Sequence, residues 1–320
     1  MRLFGNAHFK FIEVRHIAYV GSGIALLLAI AFGIFWHFDK GDWVNYGVDF
    51  TGGSIVQVHF NQPMTAAQIR GVVEGVVPGT EISQFGGAGD FVIRAPEFTA
   101  GKAQAVDLIK QALAQKFGAG SFTSGRTEAV SAKVGGELQS KALLAILASF
   151  AATLVYLAFR FEWRYGVAAT LATAHDLIFV LGFIAAFRID VSLTTVAAVL
   201  TIVGYSLNDT VIIFDRIREN VRKAGRREGF IEILDRSINE TLPRTILTVT
   251  TTLLTLYSLF FLGGEILRSF AEILIVGIMV GTYSSIFVAS PLLYEINKRW
   301  PVVKKPGQRT RAGSSLPASV

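Results

Sequence analysis

Ionisable and amide side chains stand inside long apolar stretches of this 320-residue chain: His175 with Asp176, then Asn208 with Asp209, then Arg244. A carboxylate at the centre of a membrane helix costs ~2.5–3.5 kcal/mol on insertion scales, so such groups normally face a polar interior and mark ion paths. Asp209 is still separated from a basic segment by the apolar Val211–Phe214. Arg244 follows Pro243, and Pro favours the first turn of a helix, where the macrodipole disfavours a cation and an anionic neighbour would compensate. Asp209 lies five residues before Phe214, the expected end of its helix. That is about 7–8 Å at ~1.5 Å per residue, so Arg244 is expected at similar depth on the next helix. A desolvated carboxyl holds its proton and a nearby guanidinium favours the ionised form, so separating the two would time proton release. Asp209, Arg244 and Asn208 are therefore read as candidates to line an ion path. His175 and Asp176, with Thr248 and Thr252 from the series Thr245 to Thr255, are read as polar support, with interhelical hydrogen bonding and plain packing as the competing readings. For Arg244 the competing reading is a snorkelling anchor.

Other chemistry is sparse. Tyr46-Gly47-Val48-Asp49-Phe50-Thr51-Gly52-Gly53 has the glycines of a phosphate loop, but no Gly-Lys-Ser/Thr follows and no helix is expected to open there. Gly47, Asp49, Gly52 and Gly53 are read instead as a tight entry from membrane to sheet. The chain has 5 His, scattered without pairing, and 0 Cys. With no nucleotide loop, no metal-ligand spacing and no nucleophile with its base, neither a cofactor nor an enzyme activity is expected. An energy source must be bound elsewhere or be an ion gradient. Gly277 and Gly281 form a GxxxG pair, expected to let helices approach closely.

These residues need helices in lipid to hold them. Hydrophobic residues make up 52% and charged residues 17%, where soluble domains have ~45–50% and ~25%. Stretches near the ~20 apolar residues of a span occur at Ile17–Trp36, Ala142–Phe159, Tyr165–Phe187, Leu193–Phe214, Thr245–Leu262 and Phe270–Tyr294. The first has a cleaved signal peptide as its alternative, given Arg2, Lys10, Arg15 and Ala29-Ile30-Ala31; the apolar run through Phe35 and Trp36 favours a span. Arg160 and Arg164, seven Lys or Arg between Asp215 and Pro243, and six after Glu295 mark the cytoplasmic side, while the opposite short loops hold only Arg188 and Arg268. The net charge of +6 thus records topology rather than a nucleic-acid partner.

The expected organisation is residues 1–37, a cytoplasmic N-terminus and first span; 38–140, an extracytoplasmic α+β domain; 141–297, five further spans with a cytoplasmic loop at 215–243; and 298–320, a disordered basic tail able to meet anionic lipid. Within the domain, a strand at Gly53–Phe60, a helix with capping-box spacing at Thr65 and Gln68, strands near Glu81–Gln84 and Phe91–Arg94, a helix with Val106, Ile109, Leu113 and Phe117 on one face ending at Gly118, and a strand around Phe122–Val130 give β-α-β-β-α-β, the ferredoxin-like order.

Several blocks resemble the SecD/SecF family of protein-export membrane subunits, part of the resistance-nodulation-division superfamily. They are Tyr46 to Gly53, Phe159-Arg160-Phe161-Glu162-Trp163-Arg164, Ala174-His175-Asp176, Gly204-Tyr205-Ser206-Leu207-Asn208-Asp209-Thr210 through Asn220, and Gly281-Thr282-Tyr283-Ser284-Ser285 through Pro291. The segment Ser131 to Leu138 departs from the family in lacking a Pro near the strand end. The resemblance implies a six-helix half-transporter in the bacterial inner membrane, completed by SecD. It further implies work beside the SecYEG translocon, with YajC as an optional component, where the proton motive force promotes preprotein export. It carries the proton-path role onto Asp209 and Arg244, with a second carboxylate from SecD. The alternatives are a small-molecule or lipid exporter of the same superfamily, which would need a larger external domain, and a passive assembly scaffold, which would tolerate neutralisation of Asp209.

Overall fold

The computed structural model describes residues 8–84, 87–96, 99–100, 103–130, 132–224 and 228–300. Helix α1 (Arg15–Lys40) leads through β1 (Asn45–Tyr46) and a four-residue helix α2 (Val48–Thr51) into a small α+β unit. There β2 (Gly53–Phe60), α3 (Ala66–Val73), β3 (Glu81–Gln84), β4 (Asp90–Pro96), the short β5 (Thr99–Ala100) and β6 (Ala103–Gln104), α4 (Ala105–Phe117) and β7 (Phe122–Val130) follow in order. The chain then returns as α5 (Ala132–Arg160), α6 (Trp163–Ala186), β8 (Asp190–Val191), α7 (Leu193–Lys223), α8 (Phe230–Leu262) and α9 (Gly264–Ser284). A π-helical turn, Ser285–Ala289, joins α9 to α10 (Ser290–Arg299). Among the described residues, six helical spans are long and apolar enough to cross a membrane, the last running from α9 through α10.

The four main strands form an antiparallel sheet in the order β3-β4-β2-β7. Alternation on β2 puts Val56, Val58 and Phe60 into one core with Phe91 and Ile93 of β4, Ile69 and Val73 of α3, and Ile109 and Leu113 of α4. Both helices therefore cover the same sheet face. Thr65 and Gln68 make the reciprocal capping box at the start of α3.

The unit is tied to the helices at its root. β1 pairs in parallel with β8, the Gly47 N–H donates to Val191 O at 2.9 Å, and the Leu193 N–H, at the first position of α7, donates to Asp49 Oδ2 at 3.0 Å. Contrary to the sequence expectation, a helix does open here: Val48–Thr51 form one turn, which turns the Asp49 carboxylate toward the orphan donors of α7. Gly52 and Gly53 have φ of 80° and 140°, and a Cβ on Gly53 would sit 2.3 Å from Ala95 O. Only glycine permits that left-handed turn with β4 so close.

Close contacts between membrane-length helices involve Gly182, Gly277 and Gly281. A Cβ on Gly182 of α6 would lie 2.1 Å from Ala29 Cβ of α1, one on Gly277 would lie 2.2 Å from Ile202 Cδ1, and one on Gly281 2.9 Å from Ser206 Cβ. Gly277 and Gly281 thus seat α9 on α7 inside the chain, and any surface for a companion lies elsewhere.

The segment 215–243 differs most from expectation. α7 continues to Lys223 and α8 already begins at Phe230, so the charged stretch is two helical extensions, not a loop. Ile213, Phe214 and Ile217 pack against Leu234 and Ile238. Asn220 Nδ2 donates to Ser237 Oγ at 3.0 Å and to Glu240 Oε2 at 2.7 Å, and Arg216 Nε meets Glu240 at 2.6 Å. An amphipathic pair can bury one face while its charges stay solvated, which the apolar-run criterion misses. Pro243 accordingly lies inside α8 and Arg244 does not open a helix. The hairpin is also clamped by the N-terminal segment: the Phe9 N–H donates to Asn239 Oδ1 at 3.0 Å and Asn239 Nδ2 donates to Phe9 O at 2.8 Å. The basic tail beyond Trp300 and Ser131, in the segment lacking the family Pro, lie outside the described residues.

Candidate functional site

α7 carries the polar core of the bundle. Its Ser206 and Asp209 are three residues apart and therefore on one face, both buried. Thr245 Oγ1 of α8 donates to Asp209 Oδ1 at 2.6 Å, and Ser285 Oγ of the π turn donates to Asp209 Oδ2 at 2.7 Å. Two hydroxyls from two other helices thus converge on one carboxyl. Among the described residues no cation forms an ion pair with it. Arg244 sits beside Thr245 in sequence, yet its side chain is on the exposed face of α8, because consecutive helical residues point about 100° apart. Asn208 is exposed likewise. The structure brings together Asp209 with Thr245 and Ser285, rather than Asp209 with Arg244 and Asn208.

A second carboxyl lies nearer the α+β unit. Asp176 is 1% exposed and His175 6% exposed. His175 Nδ1 lies 2.9 Å from Asp176 Oδ1. Ser284 Oγ donates to Asp176 Oδ2 at 2.7 Å, and Ser206 Oγ donates to the same oxygen. Sequence reasoning named Asp176 and Asp209 and missed the hydroxyls that hold them, Ser206, Ser284 and Ser285. The available signal was Gly281-Thr282-Tyr283-Ser284-Ser285, adjacent serines just past a close-packing glycine. The π turn has no sequence signature of its own, and such turns frequently mark functional sites.

Thr252 is tied in from the side: Tyr205 Oη donates to Thr252 Oγ1 at 3.2 Å, and Thr252 Oγ1 donates back to Thr248 O at 2.8 Å. Thr248 itself is exposed. Arg244, Thr248, Thr251 and Thr255 fall at helical spacing on the open face of α8, and Thr201, Gly204 and Asn208 do so on α7. The described residues contain no group of three or more His, Cys, Asp or Glu able to hold a metal ion.

Residues 109–299 match the family model described as protein export membrane protein SecD/SecF, C-terminal, and residues 42–64 match the SecD/SecF GG motif. The chain belongs to the SecD/SecF family. It is 47% identical to a protein translocase subunit SecF of Gemmatimonas aurantiaca over 94% of this chain and 91% of that protein. It is 42% identical to the corresponding subunit of Desulfurispirillum indicum, over 82% and 86% of the two chains. The crystal structure of SecDF, a translocon-associated membrane protein from Thermus thermophilus, superposes with a TM-score of 0.78 at 36% identity, covering 93% of this chain. A SecDF structure in a super-membrane-facing form gives 0.68 at 37% identity, covering 92%. This chain spans 40% and 39% of the length of those two SecDF chains. Like these family members, it is a multi-pass membrane subunit of the protein translocase class and not an enzyme.

Proposed function

We propose that this subunit couples the proton motive force to preprotein export across the bacterial inner membrane, with Asp209 as a proton-binding group. The observation that carries the reading is a buried carboxyl satisfied by two hydroxyls and by no cation among the described residues. An ionised carboxylate in low dielectric is strongly disfavoured without a counter-charge, so such a group changes its proton occupancy when its surroundings change.

The exposed polar stripe on α7 and α8 supports a companion. Arg244 would be costly against lipid, and a SecD-type subunit seated there would cover it and supply a carboxylate to it. The α+β unit is read as a ferredoxin-like, extracytoplasmic domain, a reading supported by its strand order and by the basic residues at the opposite turns. SecYEG, YajC and the emerging preprotein are the expected neighbours in the working assembly.

The test is export by vesicles holding the translocon, the companion and this subunit, under an imposed proton gradient. Asp209→Asn is expected to insert and assemble normally and to lose gradient stimulation, while Arg244→Lys, which lacks the planar fork, is expected to be impaired. Full stimulation by Asp209→Asn at equal protein would leave the subunit a passive scaffold.

A further inference from the structure

Among the described residues the polar core holds two carboxyls, not one, reached by successive turns of α7. Ser206, which donates to Asp176, and Asp209 are separated by three residues of α7, a rise of about 4.5 Å. Adjacent serines of the last span serve the two in parallel: Ser284 reaches Asp176 and Ser285 reaches Asp209. They lie where α9 passes into the π turn, and Ser290 Oγ, donating to Ser285 O at 3.0 Å, supports the widened turn.

Each of these serines has two acceptors for one hydrogen. Ser284 Oγ is also 3.1 Å from Gly281 O, and Ser285 Oγ is 2.9 Å from Thr282 O. A hydroxyl carries a single donor and two lone pairs. When the carboxylate is ionised, the serine donates to it. When the carboxyl takes a proton, the serine turns its hydrogen to the backbone carbonyl and accepts from the new O–H. Both states are satisfied with no movement beyond one torsion. Back-bonding of this kind is common for hydroxyls in helices; what sets these two apart is that neighbouring serines of one turn each pair it with a different buried carboxyl.

His175 supplies a third observation. Its Nδ1 faces Asp176, but its Nε2 is buried with no partner among the described residues, an unfavourable state for a ring that served packing alone. Its ring lies 6.5 Å from that of Tyr283, whose hydroxyl reaches Ser22 Oγ at 3.1 Å and Ala18 O at 3.2 Å on α1. The titratable groups around Asp176 are thus His175 on α6, Asp209 one turn along α7 and Tyr283 on α9, while α1 contributes Ser22.

We infer that His175 and Asp176 form a second proton-binding station in series with Asp209 on its extracytoplasmic side, with Ser284 and Ser285 as the hydroxyl rotors of the two stations. The inference rests on the reading of Asp209 as the proton-coupled group. A proton arriving from outside forms an O–H bond at Asp176, is released, and is then bound at Asp209.

The test uses the complex with its SecD-type companion in vesicles containing a pH-sensitive dye, with proton influx and its pH profile measured after a pH jump. Asp176→Asn is expected to lose influx at unchanged assembly, and Asp176→Glu, which keeps a titratable carboxyl, to regain it. Ser284→Ala, which removes the rotor and leaves the carboxyl, is expected to shift the pH profile rather than abolish influx. Wild-type influx and pH profile in Asp176→Asn, with Asp209→Asn inactive, would overturn the second station and leave Asp209 in place. Unchanged influx in Asp209→Asn would overturn both. Influx that follows sodium and ignores pH would overturn the proton as ligand.

Discussion

At the scale of single residues, the chemistry of this subunit depends on hydroxyls as much as on carboxyls. Thr245→Val keeps shape and removes the donor to Asp209 Oδ1. A hydrogen bond to a charged group contributes about 1.5–3 kcal/mol, so gradient-driven export is expected to fall at equal protein in the membrane. A titration that stability would report lies on the α+β unit. On the sheet, Asp90 Oδ1 is 2.5 Å from His59 Nδ1, and Gly87 N–H donates to the same carboxyl. The His59 hydrogen bond, then the backbone one, hold Asp90 below the ordinary carboxylate range. A depressed folded-state value adds stability above the unfolded value and loses it as pH falls through the folded one. Thermal unfolding of the full chain from pH 6 down to 3 should therefore show a slightly smaller acid-side decline in Asp90→Asn than in the wild type. Asp209 and Asp176 were legible in the sequence because a charge in an apolar run is conspicuous. Ser206, Ser284 and Ser285 were not, since a serine in a membrane helix satisfies itself on its own backbone in most settings.

At the scale of elements, the apolar interiors of the long helices and the caps of α3 and α4 were readable, and the facing ends of α7 and α8 were not. Apolar runs located all six spans, and period-2 alternation placed β2 to the residue, because burial on one face imposes both patterns. The extensions of α7 and α8 escaped because their buried stripe is narrow and flanked by charge, with Ile213, Ile217, Leu234 and Ile238 as its core. Pro243 was misleading for the same reason, since a position typical of a helix start is occupied here within a longer helix. Two elements give direct tests. Gly277→Val forces a side chain into Ile202, and overpacking of this kind costs about 1–3 kcal/mol; detergent-solubilised protein should unfold earlier on heating. Asp49→Ala removes a cap from the first turn of α7, worth about 0.5–2 kcal/mol. That variant is expected to lose export more than stability, because Asp49 links the root of the α+β unit to the helix that bears Asp209.

At the scale of the whole molecule, orientation can be read directly. The chain has 0 Cys, so single cysteines are unambiguous reporters. Gln84→Cys should react with an impermeant maleimide in intact cells, and Lys223→Cys only after the membrane is opened; the reverse pattern would invert the topology. The arrangement also explains why the companion surface was not visible beforehand. Gly277 and Gly281, the most conspicuous packing signal, are used up within the chain, whereas the face left open is a line of Arg244 and threonines that no small-residue motif announces.

Pro243 adds a mechanical consequence. Having no N–H, it leaves Asn239 O, six residues before Thr245, without its usual helical donor. On one side of this break α8 is held by Phe9, Asn220 and Arg216; on the other stand Thr245, bonded to Asp209, and Arg244, at the open face. A rod pinned at one end and softened just beyond the pin bends there at the least cost in energy. Restoring the missing bond with Pro243→Ala should therefore give a protein that melts higher and exports more slowly, a subunit whose stiffness has risen at the expense of its stroke.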